Sequence, residues 1–151
     1  MIIQTYSFQQ LDTIQLYKLL KLRSEVFVVE QDCVYQDVDD KDIESYHVLM
    51  QTNDGLLTAY ARLLPIGLSY PNCAAIGRVV TSPKMRGNGL GRKLMQFCIQ
   101  EIKRLWPNQE VKLQAQSYLT NFYESLNFRV VSEEYLEDNI PHVDMLLSTY
   151  V

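Results

Sequence analysis

The chain has 151 residues, of which 47% are hydrophobic and 21% are charged, and its net charge is −4. This length predicts a single domain over residues 1–151, and the composition excludes an intrinsically disordered chain. No apolar run reaches the roughly eighteen residues that a membrane-spanning helix needs. The negative net charge argues against nucleic-acid binding, which needs a positive field to displace counterions from phosphate. We therefore expect neither nucleic acid nor a membrane as a partner.

The N-terminal segment and the cysteines predict where the protein works. Residues 1–7 lack the basic, apolar and small-residue regions of a signal peptide. The three cysteines, Cys33, Cys73 and Cys98, form an odd set without C-x-x-C spacing. Such a set indicates neither a disulfide framework nor a zinc site. We expect a cytoplasmic protein that needs no metal.

The first predicted elements are a strand and a helix. Residues 2–7 are predicted to form the strand. Asp12 and Gln15 have the spacing of a capping box, which predicts a helix over residues 12–27. The acidic stretch that follows, residues 28–44, lacks a regular period and is predicted to be a loop with one short helix.

Three strands are predicted in the middle of the chain. Residues 47–51 and 56–64 flank the sequence Asn53-Asp54-Gly55, which is expected to supply the positive φ angles of a tight hairpin turn. Residues 74–81 are a short apolar run, which predicts a buried central strand.

The strongest predicted helix lies between Gly89 and Pro107, where an apolar stripe recurs at helical spacing. A strand, a short helix and two strands are predicted after it, at residues 111–115, 118–126, 128–131 and 143–147. This order of elements predicts an α/β fold in which a mixed sheet carries helices on both faces.

Three alternating glycines, Gly87, Gly89 and Gly91, connect the central strand to the strongest helix. A glycine-rich turn at a helix N-terminus presents unpaired backbone N–H groups and the positive end of the helix dipole, which together bind an anion. A Walker A loop and a Rossmann fingerprint both require a glycine where Arg92 stands. The spacing therefore excludes these two phosphate loops.

The pattern R-x-x-G-x-G over residues 86–91 resembles the acetyl-CoA pyrophosphate loop of the GNAT N-acetyltransferase superfamily. Residues 121–128 resemble the F-Y-x-x-x-G-F element of that family, with Asn127 in place of the usual glycine. Asparagine is the next best residue for a left-handed helix terminus, so we interpret this change as tolerated.

Further segments resemble the bacterial ElaA-type branch of the family, at residues 23–31, 35–39, 59–63, 76–80 and 137–142. The resemblance thus covers nearly the whole chain. It implies the GNAT acyl-CoA N-acyltransferase fold, with a central, mostly antiparallel mixed sheet. It assigns no physiological acceptor.

The resemblance implies that acetyl-CoA is the cosubstrate. The residues that it places around the pyrophosphate are Arg86, Gly87, Asn88, Gly89, Leu90, Gly91 and Arg92. In the family the fourth strand splays from the fifth, and the matching backbone N–H groups of Val79, Val80 and Thr81 bind the pantetheine and the thioester oxygen. Gln116 and Asn121 occupy two further positions at which the resemblance implies contact with the cofactor.

Tyr123 occupies the position of the family's general acid, and a phenol with a reference pKa of ~10 is protonated at neutral pH. The fifth strand offers Lys112 and Gln114 where some relatives carry a carboxylate, so the base must come from elsewhere. Besides a water molecule, five side chains remain open as the base: Glu30, Asp37, Asp39, His47 and His142. A structural role is the favoured interpretation for both histidines. The acidic residues 37–44 are expected either to attract a cationic amine or to form a solvated loop.

The predicted function is the transfer of an acetyl group from acetyl-CoA to a primary amine of a small molecule or a protein. The amine would attack the thioester directly, through a tetrahedral intermediate. The alternative is a non-catalytic acyl-CoA-binding sensor or partner module with the same fold. The acceptor, the preferred acyl chain and the oligomeric state, including a homodimer, stay open.

Overall fold

A computed structural model describes residues 1–148, so residues 149–151 of the predicted domain lie outside the described part. The described part contains eight strands: β1 (Ile2–Ser7), β2 (Tyr46–Gln51), β3 (Leu57–Leu64), β4 (Ala74–Thr81), β5 (Val111–Gln116), β6 (Arg129–Val130), β7 (Tyr135–Glu137) and β8 (Ile140–Leu147). They form one sheet in the order β1-β2-β3-β4-β5-β8-β6, and β7 pairs with β8. Within residues 1–148 no helix has the length and apolar character to cross a membrane.

Four α-helices accompany the sheet: α1 (Thr13–Arg23), α2 (Lys41–Glu44), α3 (Leu90–Leu105) and α4 (Thr120–Glu124). The predicted capping box at the start of α1 is confirmed, because Gln15 N donates to Asp12 Oδ1 at 2.7 Å and Asp12 N donates to Gln15 Oε1 at 2.9 Å. The predicted α-helical character up to residue 27 is wrong, since the chain continues as a π-helix over Ser24–Glu30. Such segments are rare and frequently accompany functional sites.

The sheet has a hydrophobic cluster on each face. Successive residues of β2 alternate between them, with Val48 and Met50 in the cluster under α3 and α4 and Leu49 in the cluster under α1. Because successive strand residues point to opposite faces, the two clusters lie on opposite sides of the sheet. The predicted mixed sheet with helices on both faces is therefore confirmed.

β4 and β5 form the one parallel pair among the described strands, and they are joined only at their first residues, Ala74 with Val111 and Ala75 with Lys112. Beyond these pairs the two strands diverge, as the family resemblance implies. The register between β3 and β4 also shifts, and Arg78 at this irregularity has a φ of +50°. The edge of β4 beyond Ala75 is thus left without a strand partner in β5.

The β7–β8 hairpin is absent from the sequence prediction. Its turn residues, Asp138 and Asn139, both have positive φ angles of 51° and 63°, and Asp and Asn accept that conformation more readily than most residues. The predicted last strand therefore begins earlier than expected, at Ile140.

Two smaller predictions have opposite outcomes. In the β2–β3 turn only Gly55 has a positive φ, of +89°, so the expectation that Asn53 and Asp54 share it is wrong. At the end of α4, Asn127 has a φ of +75°, which confirms its predicted left-handed conformation.

Candidate active site

A cavity of about 810 Å³ opens where β4 and β5 diverge. Its walls come from β4, β5, the π-helical segment, the starts of α3 and α4, and the β7–β8 hairpin. Along β4, the side chain of Arg62 lies 3.6 Å from the position that a Cβ of Gly77 would occupy. Near the other end of the strand, Thr81 Oγ1 lies 3.8 Å from the corresponding position of Gly91. The cavity therefore extends along β4 from the interior of the sheet to the start of α3.

The glycine loop, defined as residues 86–91, ends at the N-terminus of α3. Gly87 and Gly89 have φ angles of +86° and +72°, and nothing lies within 4 Å of the Cβ that either would carry. No side chain caps α3, while Asn88 Nδ2 donates to Met85 O at 3.0 Å. Open space beside uncapped N–H groups at the positive end of a helix fits a pyrophosphate.

Two residues of the glycine loop, Arg86 and Gly91, line the cavity itself. Leu90 has its side chain in the hydrophobic core at 5% exposure, so only its backbone is available to a ligand. Arg86 Nη2 lies 2.7 Å from Glu30 Oε1, and both side chains are about half exposed, at 46% and 40%. The candidate base Glu30 therefore pairs with the cation that is predicted to hold the pyrophosphate.

Besides Gly87, Asn88, Gly89 and Leu90 of the glycine loop, the predicted cofactor residues Arg92 and Asn121 also do not line the cavity. The guanidinium of Arg92 lies 5.6 Å from the centre of the Phe122 ring, and its Nη2 donates to Ser125 Oγ at 2.7 Å. Asn121 is exposed on α4 and does not line the cavity. Arg92 thus links α3 to α4, and the contact of either residue with the cofactor stays a prediction.

The predicted residues of β4 and β5 do come together. Val79, Val80 and Thr81 line the cavity, as does Gln116 at the end of β5. A Cβ on Gly91 would meet Thr81 Oγ1 and the Phe122 ring at ordinary contact distances of 3.8 and 3.9 Å. The start of α3 therefore packs closely on the end of β4.

Tyr123 lines the same cavity although only 5% of the residue is exposed. Its ring makes edge contacts with Phe122 and Phe128, at centroid distances of 5.1 and 6.0 Å. Burial raises the pKa of the Tyr123 hydroxyl above its ordinary value, so the group is protonated at neutral pH. The protonated form is the one that the predicted role of a general acid requires.

Three arginines and three aspartates form an arginine–aspartate network, whose members are Arg23, Arg62, Arg78, Asp37, Asp39 and Asp42. The fully buried Arg23 lies 2.8 Å from Asp37 and 2.7 Å from Asp42. Arg62 donates to both carboxylate oxygens of Asp39, at 2.6 and 2.7 Å. The expectation of a solvated loop is therefore wrong for Asp37 and Asp42, which are buried, whereas Asp39 is partly exposed and lines the cavity. The attraction of a cationic amine to this stretch stays a prediction.

The network also occupies two of the candidate bases, Asp37 and Asp39. Burial alone would raise the pKa of Asp39, but its hydrogen bond to Arg62 and the positive charges of Arg62 and Arg78 hold that pKa below its usual value. Arg78 Nε lies 2.8 Å from Asp37 Oδ1 without a hydrogen bond, while its Nη2 donates to Asp37 O at 3.0 Å. The carboxylate of Asp39 is therefore a weak proton acceptor.

His47 is fully buried and does not line the cavity. Its Nε2 donates to Asp42 O at 2.8 Å, because a carbonyl oxygen can only accept, and its Nδ1 accepts from the hydroxyl of Tyr60 at 2.7 Å. Burial lowers the pKa of His47, which keeps the imidazole neutral. The expected structural role of this histidine is confirmed.

His142 differs from His47 because it lines the cavity. Its Nδ1 lies 2.7 Å from Ile140 O, and the ring stacks on Tyr135 with a centroid distance of 6.1 Å and an interplanar angle of 21°. Three of the five candidate bases line the cavity, namely Glu30, Asp39 and His142, and of these His142 is the one that no described arginine pairs with.

Several residues of the cavity wall were not predicted from the sequence: Phe27, Cys33, Tyr35, Tyr70, Arg78 and Glu137. Phe27, Tyr35, Arg78 and Glu137 lie inside the segments that carry the family resemblance, which is the signal that would have found them. Among residues 1–148 no group of three or more His, Cys, Asp or Glu side chains is arranged to hold a metal ion.

Known proteins resemble this chain over most of its length. A family model described as acetyltransferase (GNAT) domain matches residues 3–149. Protein ElaA of Escherichia coli is 43% identical over 144 residues, which cover 94% of this chain and 93% of that protein. Its crystal structure matches with a TM-score of 0.90 at 41% identity, over 97% of this chain and 99% of that one.

Two other crystal structures extend the comparison. An acyl-CoA N-acyltransferase from Pseudomonas aeruginosa matches with a TM-score of 0.91 at 41% identity, over 98% of this chain and 100% of that one. An aminoglycoside 6'-N-acetyltransferase complexed with coenzyme A shares the fold, with a TM-score of 0.72 at 16% identity, over 98% of this chain and 97% of that one.

Proposed function

The chain belongs to the GNAT acetyltransferase family, as residues 86–91 and 121–128 predicted, and on that premise we propose that it transfers the acetyl group of acetyl-CoA to a primary amine. The acceptor is the amine of a small molecule or of a protein. The observation that carries this proposal is the cavity between β4 and β5, which joins the glycine loop to Tyr123.

The glycine loop is the proposed site of the pyrophosphate. The uncapped first turn of α3 supplies backbone N–H donors, and Arg86 adds a charge-assisted contact. The pantetheine then extends along β4, where Val79, Val80 and Thr81 lie beside the gap left by β5. A distant protein of the same fold is known in complex with coenzyme A, which supports this assignment.

The proposed chemistry is a direct attack on the thioester. The nitrogen of the amine forms a bond to the carbonyl carbon, a base takes a proton from that nitrogen, and the carbon–sulfur bond breaks. Backbone N–H groups of β4 stabilise the negative charge on the carbonyl oxygen. The hydroxyl of Tyr123 donates a proton to the departing thiolate. Its place in the cavity supports this role.

The acceptor is proposed to enter beside the β7–β8 hairpin, where the exposed carboxylates of Glu137 and Asp138 line the cavity and attract a cation. We place the reaction in the cytoplasm, which agrees with the free thiols of Cys33, Cys73 and Cys98.

The proposal is tested by incubating the protein with acetyl-CoA and a panel of primary amines while free thiol is measured. We expect CoA release that depends on an amine, with acetylated amine formed in equal amount. A sensor or partner module would bind acetyl-CoA and release no thiol with any amine. That outcome would replace the proposed enzyme by the alternative function.

A further inference from the structure

The sheet has a polar face beside the cavity. Along β5 and β8, alternate residues face the hydrophobic cluster under α3 and α4, among them Ala115 and Val143. Within residues 1–148, no residue of β5 or β8 belongs to the hydrophobic cluster under α1. The residues between them, which include Gln114, Gln116 and His142, line the cavity instead. The polar face is therefore a wall of the space in which we propose that the amine reacts.

His142 pairs with Gln116 in the register of this face, at the end of β5 where the two central strands have diverged. Its Nδ1 must carry a proton, because Ile140 O at 2.7 Å can only accept a hydrogen bond. In the neutral ring Nε2 then bears the lone pair, and no other described residue donates to it. The ring is held by Tyr135, whose hydroxyl donates to Asp144 Oδ1 at 2.6 Å.

The other titratable groups of the cavity are less suited to accept a proton from an ammonium group. Asp39 and Glu30 already pair with arginines. Burial raises the pKa of Tyr35 and of Tyr70 to about 12, so both phenols are protonated. Glu137 is an exposed carboxylate of the β7–β8 hairpin, whereas imidazole is the side chain that most often serves as a general base.

We propose that Nε2 of His142 is the general base of this reaction, accepting a proton from the ammonium group of the acceptor. The electron pair left on the nitrogen then forms the bond to the acetyl carbon, the carbon–sulfur bond breaks, and Tyr123 protonates the departing thiolate. The nitrogen loses its second proton as the amide forms, which restores the hydroxyl of Tyr123 through solvent, and the proton on the imidazole is the one released in the net reaction. This inference rests on the proposed function and names one chemical class of substrate, an amine that arrives protonated.

The matched test compares His142→Gln with the parent protein on two acceptors of similar shape, ethylamine and trifluoroethylamine. Ethylamine arrives as an ammonium ion, whereas the fluorinated amine is largely neutral at neutral pH and needs no base to remove a proton before attack. We expect the variant to lose roughly 10²–10⁴-fold in kcat with an ammonium substrate and far less with a neutral one. The affinity for acetyl-CoA should not change, which controls for folding.

The outcomes separate the two proposals. If the parent turns over and the variant loses nothing, or loses equally with both amines, His142 is not the base and the proposed function stands. If the parent releases no CoA with any amine of the panel, the proposed acetyltransferase function is contradicted, and so is the assignment of His142 as its base. Added imidazole should restore part of the activity of His142→Ala, a rescue that a purely structural role would not give.

The pH profile adds a second readout. In the parent, kcat/KM for the amine should fall on the acid side of the profile, and His142→Gln should lack that fall. Tyr135 stacks on the ring, and Asp144 and Lys112 lie on the same polar face. Tyr70, Glu137 and Asp138 are further titratable groups of the same cavity. A profile that is identical in parent and variant would overturn the assignment. The chain has two histidines, so NMR can check directly that His142 carries its proton on Nδ1.

Discussion

We propose that the glycine loop binds the pyrophosphate through open space and backbone donors, whereas the arginine–aspartate network stabilises another part of the cavity wall through buried charge. In the loop, Gly87 and Gly89 leave open space beside the first turn of α3, and the donors belong to the backbone of one continuous segment. In the network, Arg23 from α1 and Arg62 from β3 meet aspartates of the acidic stretch. Substitutions in the loop should therefore change ligand affinity at little cost in stability, and substitutions in the network should change stability first.

The largest effect is expected at Gly91, where a carboxylate would face the pyrophosphate. Gly91→Asp should abolish measurable acetyl-CoA binding, because the new negative charge lies at the helix N-terminus and repels the ligand. The backbone at Gly91 is unstrained and an added Cβ meets only ordinary contacts, so the fold should persist. Gly89 is the poorer site for this test, since its φ of +72° strains any side chain.

Isothermal titration measures this effect, with Gly91→Asn as the uncharged control of the same size. The control should bind more tightly than the aspartate variant. Equal affinity of Gly91→Asp and the parent for acetyl-CoA would show that the pyrophosphate does not bind at the glycine loop.

The second effect concerns Arg23, whose loss leaves Asp37 and Asp42 buried without this partner. Arg23→Ala should lower the free energy of unfolding by about 3–5 kcal/mol, the usual consequence of breaking a buried ion pair. Denaturant unfolding followed by circular dichroism measures it. Arg104→Ala is the matched control, because its ion pair with Glu101 is on the surface and its removal should change stability little. Equal losses of unfolding free energy in both variants would show that the network contributes no more to stability than a surface ion pair.

The smallest effect is expected at Arg86, which supplies charge to the glycine loop but not its backbone donors. Arg86→Ala should weaken acetyl-CoA binding by roughly tenfold, the worth of one charge-assisted contact. Glu30→Gln removes the competing partner of Arg86 and should leave the affinity equal or slightly higher. A complete loss of binding in Arg86→Ala would mean that the side chain, and not the backbone, carries the site.

The glycine loop and its flanking elements could be predicted from the sequence because their signals are local. Residues 86–91 determine a turn and a helix start by themselves, and Asn127 is a residue type that tolerates the left-handed conformation it adopts. The same holds for the capping box of Asp12 and Gln15.

The arginine–aspartate network could not be predicted because its contacts join distant parts of the chain. Nothing in the acidic stretch indicates that Asp37 and Asp42 meet Arg23, and the π-helical segment has no local signature that distinguishes it from an α-helix. The free lone pair of His142 depends on the carbonyl of Ile140 in a hairpin that the pattern did not predict. Positions of this kind are decided by tertiary packing.

The central claim, that the cavity transfers an acetyl group with Tyr123 as the acid, is tested most directly by Tyr123→Phe. The substitution removes one oxygen and keeps the ring contacts with Phe122 and Phe128, so packing and the KM for acetyl-CoA should change little. Steady-state turnover at saturating amine should fall by roughly 10²–10⁴-fold, if proton donation to the thiolate limits the rate. Turnover within about twofold of the parent would contradict the proton-donor role and leave Tyr123 as a residue of the hydrophobic core.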